Sequence, residues 1–174
     1  MGTINEARKT GFNPVFLASA GAYTDLIPKL GGKNMDGLYA TMTAQHPYLD
    51  EATQQIRFWA NKYKTRFNED PSVMAAYGYI AGDTFIRAAQ KAGPDLTTDS
   101  FVKAMDSLTV PRDIFGSAEG TYSPAKHLGS PYSRLSQIQD GRWKVVSDYV
   151  DFNGLKTVVQ KDGRTTVVSE FFND

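Results

Sequence analysis

Residues 73–92, VMAAYGYIAGDTFIRAAQKA, constrain this chain more than any other stretch, because nearly every side chain is apolar or small. A helix that is apolar on most of its faces must be covered. Met74, Tyr77, Ala81, Phe85 and Ala89 therefore need a surface to lie on, and the run of helices around them, with no strand beside it, does not supply one.

The flanking segments repeat the helical period. Ala52, Ile56, Trp59, Ala60, Tyr63 and Phe67 fall on one face at helical spacing, with Asp50 placed as an N-cap. Asp70-Pro71 offers a cap and a first-turn proline for the apolar helix, and Gly93-Pro94 ends it. Thr97 or Thr98 caps a third helix, which turns Phe101, Val102, Met105 and Leu108 inward.

Ahead of these helices the pattern is α/β. Residues 4–9 read as the end of a helix stopped by Gly11, followed by a buried strand over 14–18. A short helix near 23–30, limited by Pro28 and Gly31-Gly32, leads to a strand over 37–42. After Pro111 come strands at 120–123, 133–139 and 142–147, the last two joined by Asp140-Gly141, a pair that favours a type I′ hairpin. A second hairpin is predicted from 155–160 and 164–169 around Asp162-Gly163.

Charge and composition narrow the function classes. Lys plus Arg and Asp plus Glu both number 19, so the chain lacks the basic excess that a nucleic acid or an anionic membrane surface demands. Zero cysteines remove disulfides, thiolate metal sites and cysteine nucleophiles. No apolar run approaches the roughly 18 residues of a membrane span. The start MGTINE has neither the basic region nor the apolar core of a signal peptide, which by itself implies a cytoplasmic chain.

The search for catalytic chemistry returns little. His46 and His127 lie far apart without metal-ligand spacing, and both are expected to be exposed loop residues. No G-x-S-x-G elbow, P-loop or G-x-G-x-x-G occurs. Asp113 and Glu119 read as solvated loop carboxylates, and Trp59, Tyr63 and Phe67 as core. No cofactor, metal or catalytic residue is indicated. One stretch fits binding: the strand over 15–18 delivers the small residues Ser19-Ala20-Gly21 to a helix N-terminus, where free amides favour a polar or anionic group. The competing reading is a tight βα turn.

The succession EARKTGFNPVFLAS, MDGLYATM, AYGYIAGDTFIRAAQKAG, GTYSPAKHLG and LSQIQDGRWKVV resembles the type I periplasmic binding proteins, specifically the branched-chain amino-acid-type substrate-binding proteins of ABC importers. The resemblance implies an α/β fold with Rossmann-like lobes, incomplete in one chain and matching the C-terminal half. It places residues 1–43 in the second lobe, 44–123 in the first as a mainly helical segment, and 124–174 back in the second lobe plus a terminal hairpin.

It also implies a function: binding of a small carboxylate or amino-acid-like ligand in an interlobe cleft and delivery to an ABC permease, in the periplasm, without catalysis. Ser19, Ala20, Gly21 and Tyr23 match the second-lobe ligand turn, and Met74, Ala75 and Tyr77 match the first-lobe helix start that lines the cleft. Amino-acid-binding members carry an acidic residue where Ala20 stands, so a ligand without an α-ammonium, such as an aromatic or aliphatic carboxylate, is favoured. Leaving the six apolar residues of the 50–67 helix uncovered would forfeit on the order of 10 kcal/mol, which rivals a domain's net stability of about 5–15 kcal/mol. A homo-oligomer, most simply a two-fold dimer, is therefore expected. The alternatives are an interaction module that binds no small molecule and a ligand-sensing regulator of the same fold.

Overall fold

The computed structural model describes residues 1–151 and the strands Leu155–Val159 and Thr165–Ser169. Helix α1 (Gly2–Lys9) opens the chain and ends at Thr10 and Gly11, the latter at φ +79°. The strand expected over 14–18 shrinks to β1 (Leu17–Ala18), which pairs in parallel with β2 (Tyr39–Met42). It is not buried: Val15 and Leu17 are 80% and 66% exposed, because β1 is the sheet edge. Between the two strands lie a 3₁₀ turn, Ala20–Ala22, helix α2 (Leu26–Gly31) and a second 3₁₀ turn, Gly32–Met35.

Three helices follow: α3 (Gln54–Phe67), α4 (Val73–Ala92) and α5 (Thr98–Met105). Their caps differ from expectation in two places. Thr53, not Asp50, occupies the cap of α3, because Asp50 is held by Arg142. Ser72, not Asp70, caps α4, its hydroxyl accepting the Ala75 N–H at 3.2 Å, while Asp70 pairs with Lys64 at 2.8 Å. Thr97 caps α5 as expected, in a reciprocal capping box with Ser100.

The chain then runs through β3 (Thr109–Val110) and β4 (Gly120–Thr121), a two-stranded pair, to β5 (Tyr132–Gln139) and β6 (Arg142–Val145). Asp140 and Gly141 both sit at positive φ, +54° and +71°, as a type I′ turn requires. Strand β5 inserts antiparallel between β2 and β6, giving the order β1-β2-β5-β6, and β7 (Val150–Asp151) pairs with its start. The predicted terminal hairpin is present as β8 (Leu155–Val159) and β9 (Thr165–Ser169), antiparallel; its Asp162-Gly163 turn lies outside the described residues.

Two cores result. The first lies on the sheet: Ala40 and Met42 of β2, Ile138 of β5 and Trp143 of β6 close on Tyr23, Met35, Leu38 and Val73. The second joins helices, with Ala44, Ile56, Ala76 and Phe115 surrounded by Trp59, Ile80 and Ile114. Tyr77 packs against both.

The second core corrects in part the expectation that the apolar face of residues 50–67 goes uncovered; Ala52 and Phe67 do stay exposed, Phe67 at 58%, so Phe67 is not the core residue its spacing suggests. Ile56 and Ala60 are buried, and Trp59 meets Phe115 edge-on at 4.9 Å, because the loop after β3 folds Phe115 between α3 and α4. A face of α4 also remains uncovered. Met74, Tyr79, Phe85 and Ile86 are 54%, 45%, 56% and 55% exposed, and Ala81 is exposed beside them.

The loop carboxylates also divide. Asp113 is half-buried and accepts the N–H groups of Phe115 at 2.8 Å and Ser117 at 3.1 Å, so it shapes that loop rather than sitting solvated, while Glu119 is exposed. Among the described residues, no helix is long and apolar enough to cross a membrane, and no group of three or more His, Cys, Asp or Glu could hold a metal ion.

Candidate functional site

Because β1 and β2 run parallel, their carboxyl ends lie at the same end of the sheet, where open α/β sheets collect ligands. Ser19, Ala20 and Gly21 follow β1 and are exposed; Thr43 follows β2 and is exposed. Tyr77, in the first turns of α4, brings its hydroxyl to 3.5 Å from the Thr43 Oγ1. Met74 is exposed and Ala75 half-buried on the same turn. The turn after β1 lies against β2, and Tyr77 of α4 meets Thr43 just past β2; this exposed end of the sheet is the candidate shelf.

Two features depart from the sequence reading. The segment after Ser19 is a three-residue 3₁₀ turn whose Ala22 and Tyr23 amides bond back to Ser19 and Ala20 at 3.0 Å each, and α2 begins only at Leu26. A turn that short carries no helix macrodipole, so the tight-turn reading describes its backbone. Tyr23 lies beneath the shelf rather than on it. It is 1% exposed, its ring is tilted against Trp143 at 5.1 Å between centroids, and its hydroxyl accepts the His46 N–H at 2.9 Å. Burial pushes its phenol well above the ordinary range.

The larger departure is the crossover that leaves β2. His46 is buried, not an exposed loop residue, because its imidazole Nε2 meets the Asp25 carboxylate and its ring stacks on Tyr48 at 3.9 Å. Its Nδ1 is buried without a partner. His127 does sit exposed in its loop, 3.6 Å from Asp106. Tyr48 accepts the Trp143 N–H at 2.9 Å, and burial raises its phenol pKa. Arg142 lies 4.0 Å above the Tyr48 ring and grips Asp50 with both guanidinium nitrogens, at 2.5 and 2.8 Å. That hydrogen bonding holds the Asp50 carboxyl below its usual range.

Sheet-side groups, Tyr23, Asp25, Trp143 and Arg142, therefore fasten the segment that carries the chain into the helices. Spacing could not have shown this, since each partner lies 21 or more residues away.

Comparison with known proteins agrees with this architecture. A possible leucine/isoleucine/valine-binding protein from Rhodopirellula baltica SH 1 superposes with a TM-score of 0.68 at 24% identity, over 83% of this chain and 38% of that one. A branched chain amino acid ABC transporter from Thermus thermophilus with bound valine gives 0.68 at 16% identity, over 85% and 42%. An ABC transporter solute binding protein from R. palustris, in complex with benzoate, gives 0.60 at 16% identity, over 82% and 38%.

The chain thus spans about two fifths of the length of the solved structures it matches. No curated protein matches it. The sequence model of the family described as periplasmic binding protein matches residues 2–142, so most of the chain, from α1 through the first residue of β6, carries the family's pattern, and the chain belongs to the periplasmic binding protein family.

Proposed function

We propose that this chain forms part of a solute-binding protein of an ABC importer, acts without catalysis in the periplasm, and presents bound solute to the permease through lobe closure. The solute is a small carboxylate or amino-acid-like molecule. It seats on Ser19, Ala20 and Gly21 from one side and on Met74, Ala75 and Tyr77 from the other, with Tyr23 as the buried support.

The observation that carries this reading is that β1 and β2 run parallel and that Tyr77, near the start of α4, meets Thr43 just past the carboxyl end of β2. Ala20 sets the ligand preference, since a methyl group offers nothing to an ammonium. A carboxylate without an amino group, of which the benzoate bound by the R. palustris neighbour is one type, is therefore preferred to valine.

Amide spectra of the isotopically labelled chain, titrated separately with benzoate and with L-valine, test this. Benzoate is expected to shift the amides of Ala20, Gly21 and Thr43 at lower concentration than valine. A stronger response to valine would refute the ligand preference, and no response at these amides to either compound would refute the site. A second reading, a module that assembles through its helices, is favoured by the exposed apolar face of α4.

A further inference from the structure

Beside the β3–β4 pair and the start of β5 the surface folds into a cavity of about 520 Å³, whose lining includes Arg112, Glu119, Lys126, Tyr132 and Tyr149. That size suits a small-molecule ligand, and no residue of the shelf lines it. Charges of both signs share this cavity, and among the described residues Arg112, Lys126 and Glu119 form no ion pair with one another.

The cations are held in place by other means. Arg112 keeps its guanidinium 5.1 Å from the centre of the Tyr149 ring. Arg134 approaches the same ring at 4.8 Å and donates its Nε–H to the Ser147 carbonyl at 3.2 Å, which ties the ring to β5. A cation–π contact positions a guanidinium without using an acceptor, so Arg112 keeps its planar fork of N–H groups for a carboxylate. Lys126 donates to the Thr121 hydroxyl at 2.9 Å and to the Gly129 carbonyl at 3.2 Å. Those bonds take two of its three protons and leave one.

The acid comes from the stretch that leads into β4. Glu119 is exposed and has no partner among the described residues. Asp151 lines the cavity too but is already engaged, so Glu119 is the carboxylate left for a cationic group. Tyr132 supplies an apolar wall: it is 40% exposed and stands edge-on to Tyr149 at 6.4 Å, with Pro131 and Ala118 in the same lining.

Backbone pairing makes the enclosure firm. The Thr121 N–H donates to the Gly129 carbonyl at 2.7 Å, and Ser123 and Lys126 exchange bonds at 3.0 and 2.9 Å. A Cβ at Gly129 would lie 2.5 Å from the Tyr122 hydroxyl, so the loop closes this tightly only over glycine. A site already ordered loses little entropy when a ligand enters.

We propose that this cavity is a second solute site, separate from the shelf, and that it takes a zwitterion: an α-amino acid with an aromatic side chain. The ligand carboxylate seats on Arg112, with Lys126 adding charge, the ammonium on Glu119, and the ring against Tyr132. A carboxylate without an ammonium leaves Glu119 facing an anion, and an amine without a carboxylate meets two cations. Only a ligand carrying both charges satisfies both walls. This reverses the preference at the shelf, where the Ala20 methyl offers nothing to an ammonium. The inference does not rest on the solute reading, since the two sites share no residue.

Amide spectra of the isotopically labelled chain, titrated with L-phenylalanine, 3-phenylpropionate and phenethylamine in turn, test it. L-phenylalanine is expected to shift the amides of Ala118, Gly120 and Thr121. Each single-charge analogue is expected to need about tenfold more or beyond for the same response, the worth of one charged hydrogen bond. Arg112→Gln should weaken L-phenylalanine by a similar factor. Glu119→Gln should abolish the preference for L-phenylalanine over 3-phenylpropionate, a readout that a change in folding alone would not move. Both residues are exposed, so neither change disturbs the core. No response to L-phenylalanine at these amides would overturn the site. An equal response to 3-phenylpropionate, or a preference that survives Glu119→Gln, would overturn the zwitterion. Shifts at Ala20, Gly21 and Thr43 report the shelf separately, so either site can fail alone.

Discussion

Replacing Tyr23 by phenylalanine removes one oxygen and leaves the ring against Trp143 in place. At neutral pH the loss is the acceptor of the His46 N–H, a 2.9 Å bond at a site 1% exposed, where water cannot substitute. A buried donor left unsatisfied costs about 1–3 kcal/mol, and the near-isosteric swap adds no cavity.

The pH dependence isolates this group. Burial raises the folded phenol well above its ordinary 10.0, so the tyrosine's contribution is complete below about pH 10. Above that pH the unfolded chain ionises while the folded phenol stays protonated. Wild-type stability then falls by about 1.4 kcal/mol per pH unit until the folded group titrates. The phenylalanine variant lacks that slope.

Urea unfolding at pH 7 and pH 11, at matched protein concentration, measures both effects. The stability gap between wild type and variant should be about 1–3 kcal/mol at pH 7 and narrower by about 1.4 kcal/mol at pH 11. A variant as stable as wild type at pH 7, or a gap that does not change with pH, would show that the Tyr23 hydroxyl does not hold the crossover.

Two further substitutions probe the elements that place the site. Phe115→Ala empties a fully buried position between α3 and α4 and should cost about 3–5 kcal/mol by urea melt; a loss below about 1 kcal/mol would mean that the loop after β3 is not what covers Trp59. Gly141→Val forces a β-branched residue to φ +71° in the β5–β6 turn, with an expected cost of about 1–3 kcal/mol and weakened cross-strand amide contacts between Ile138 and Trp143. Intact hairpin contacts at unchanged stability would argue against a type I′ turn.

What the sequence made legible was local. The α4 boundaries, the Thr97 cap and the Asp140-Gly141 turn depend on residues within a few positions of one another, and all three stand in the structure where periodicity and turn chemistry put them. The Ser19 to Gly21 segment is legible as the join between a strand and a helix, but not as a short 3₁₀ turn, because its small side chains carry no signal of the backbone bonds from Ala22 to Ser19 and from Tyr23 to Ala20 that close it. The burial of His46 is illegible in the sequence for a related reason. A lone histidine before a proline carries no local sign of burial, and its partners Asp25 and Tyr23 come from another element. Phe115, which covers the face of α3, lies 48 residues beyond Phe67 and was invisible to any windowed reading.

The insertion of β5 between β2 and β6 dictates an order of assembly. Strand β2 waits for a neighbour that begins 90 residues downstream of its last residue, Met42, whereas α4 and α5 meet across a five-residue link. During synthesis the helices can condense while the sheet is still half made, since short loops close early and distant pairings late. Once Arg142 emerges to clasp Asp50, the nascent crossover is cinched from behind. A ribosome stalled before that codon would hold a helical bundle with β1 and β2 unsealed, the species most open to chaperones.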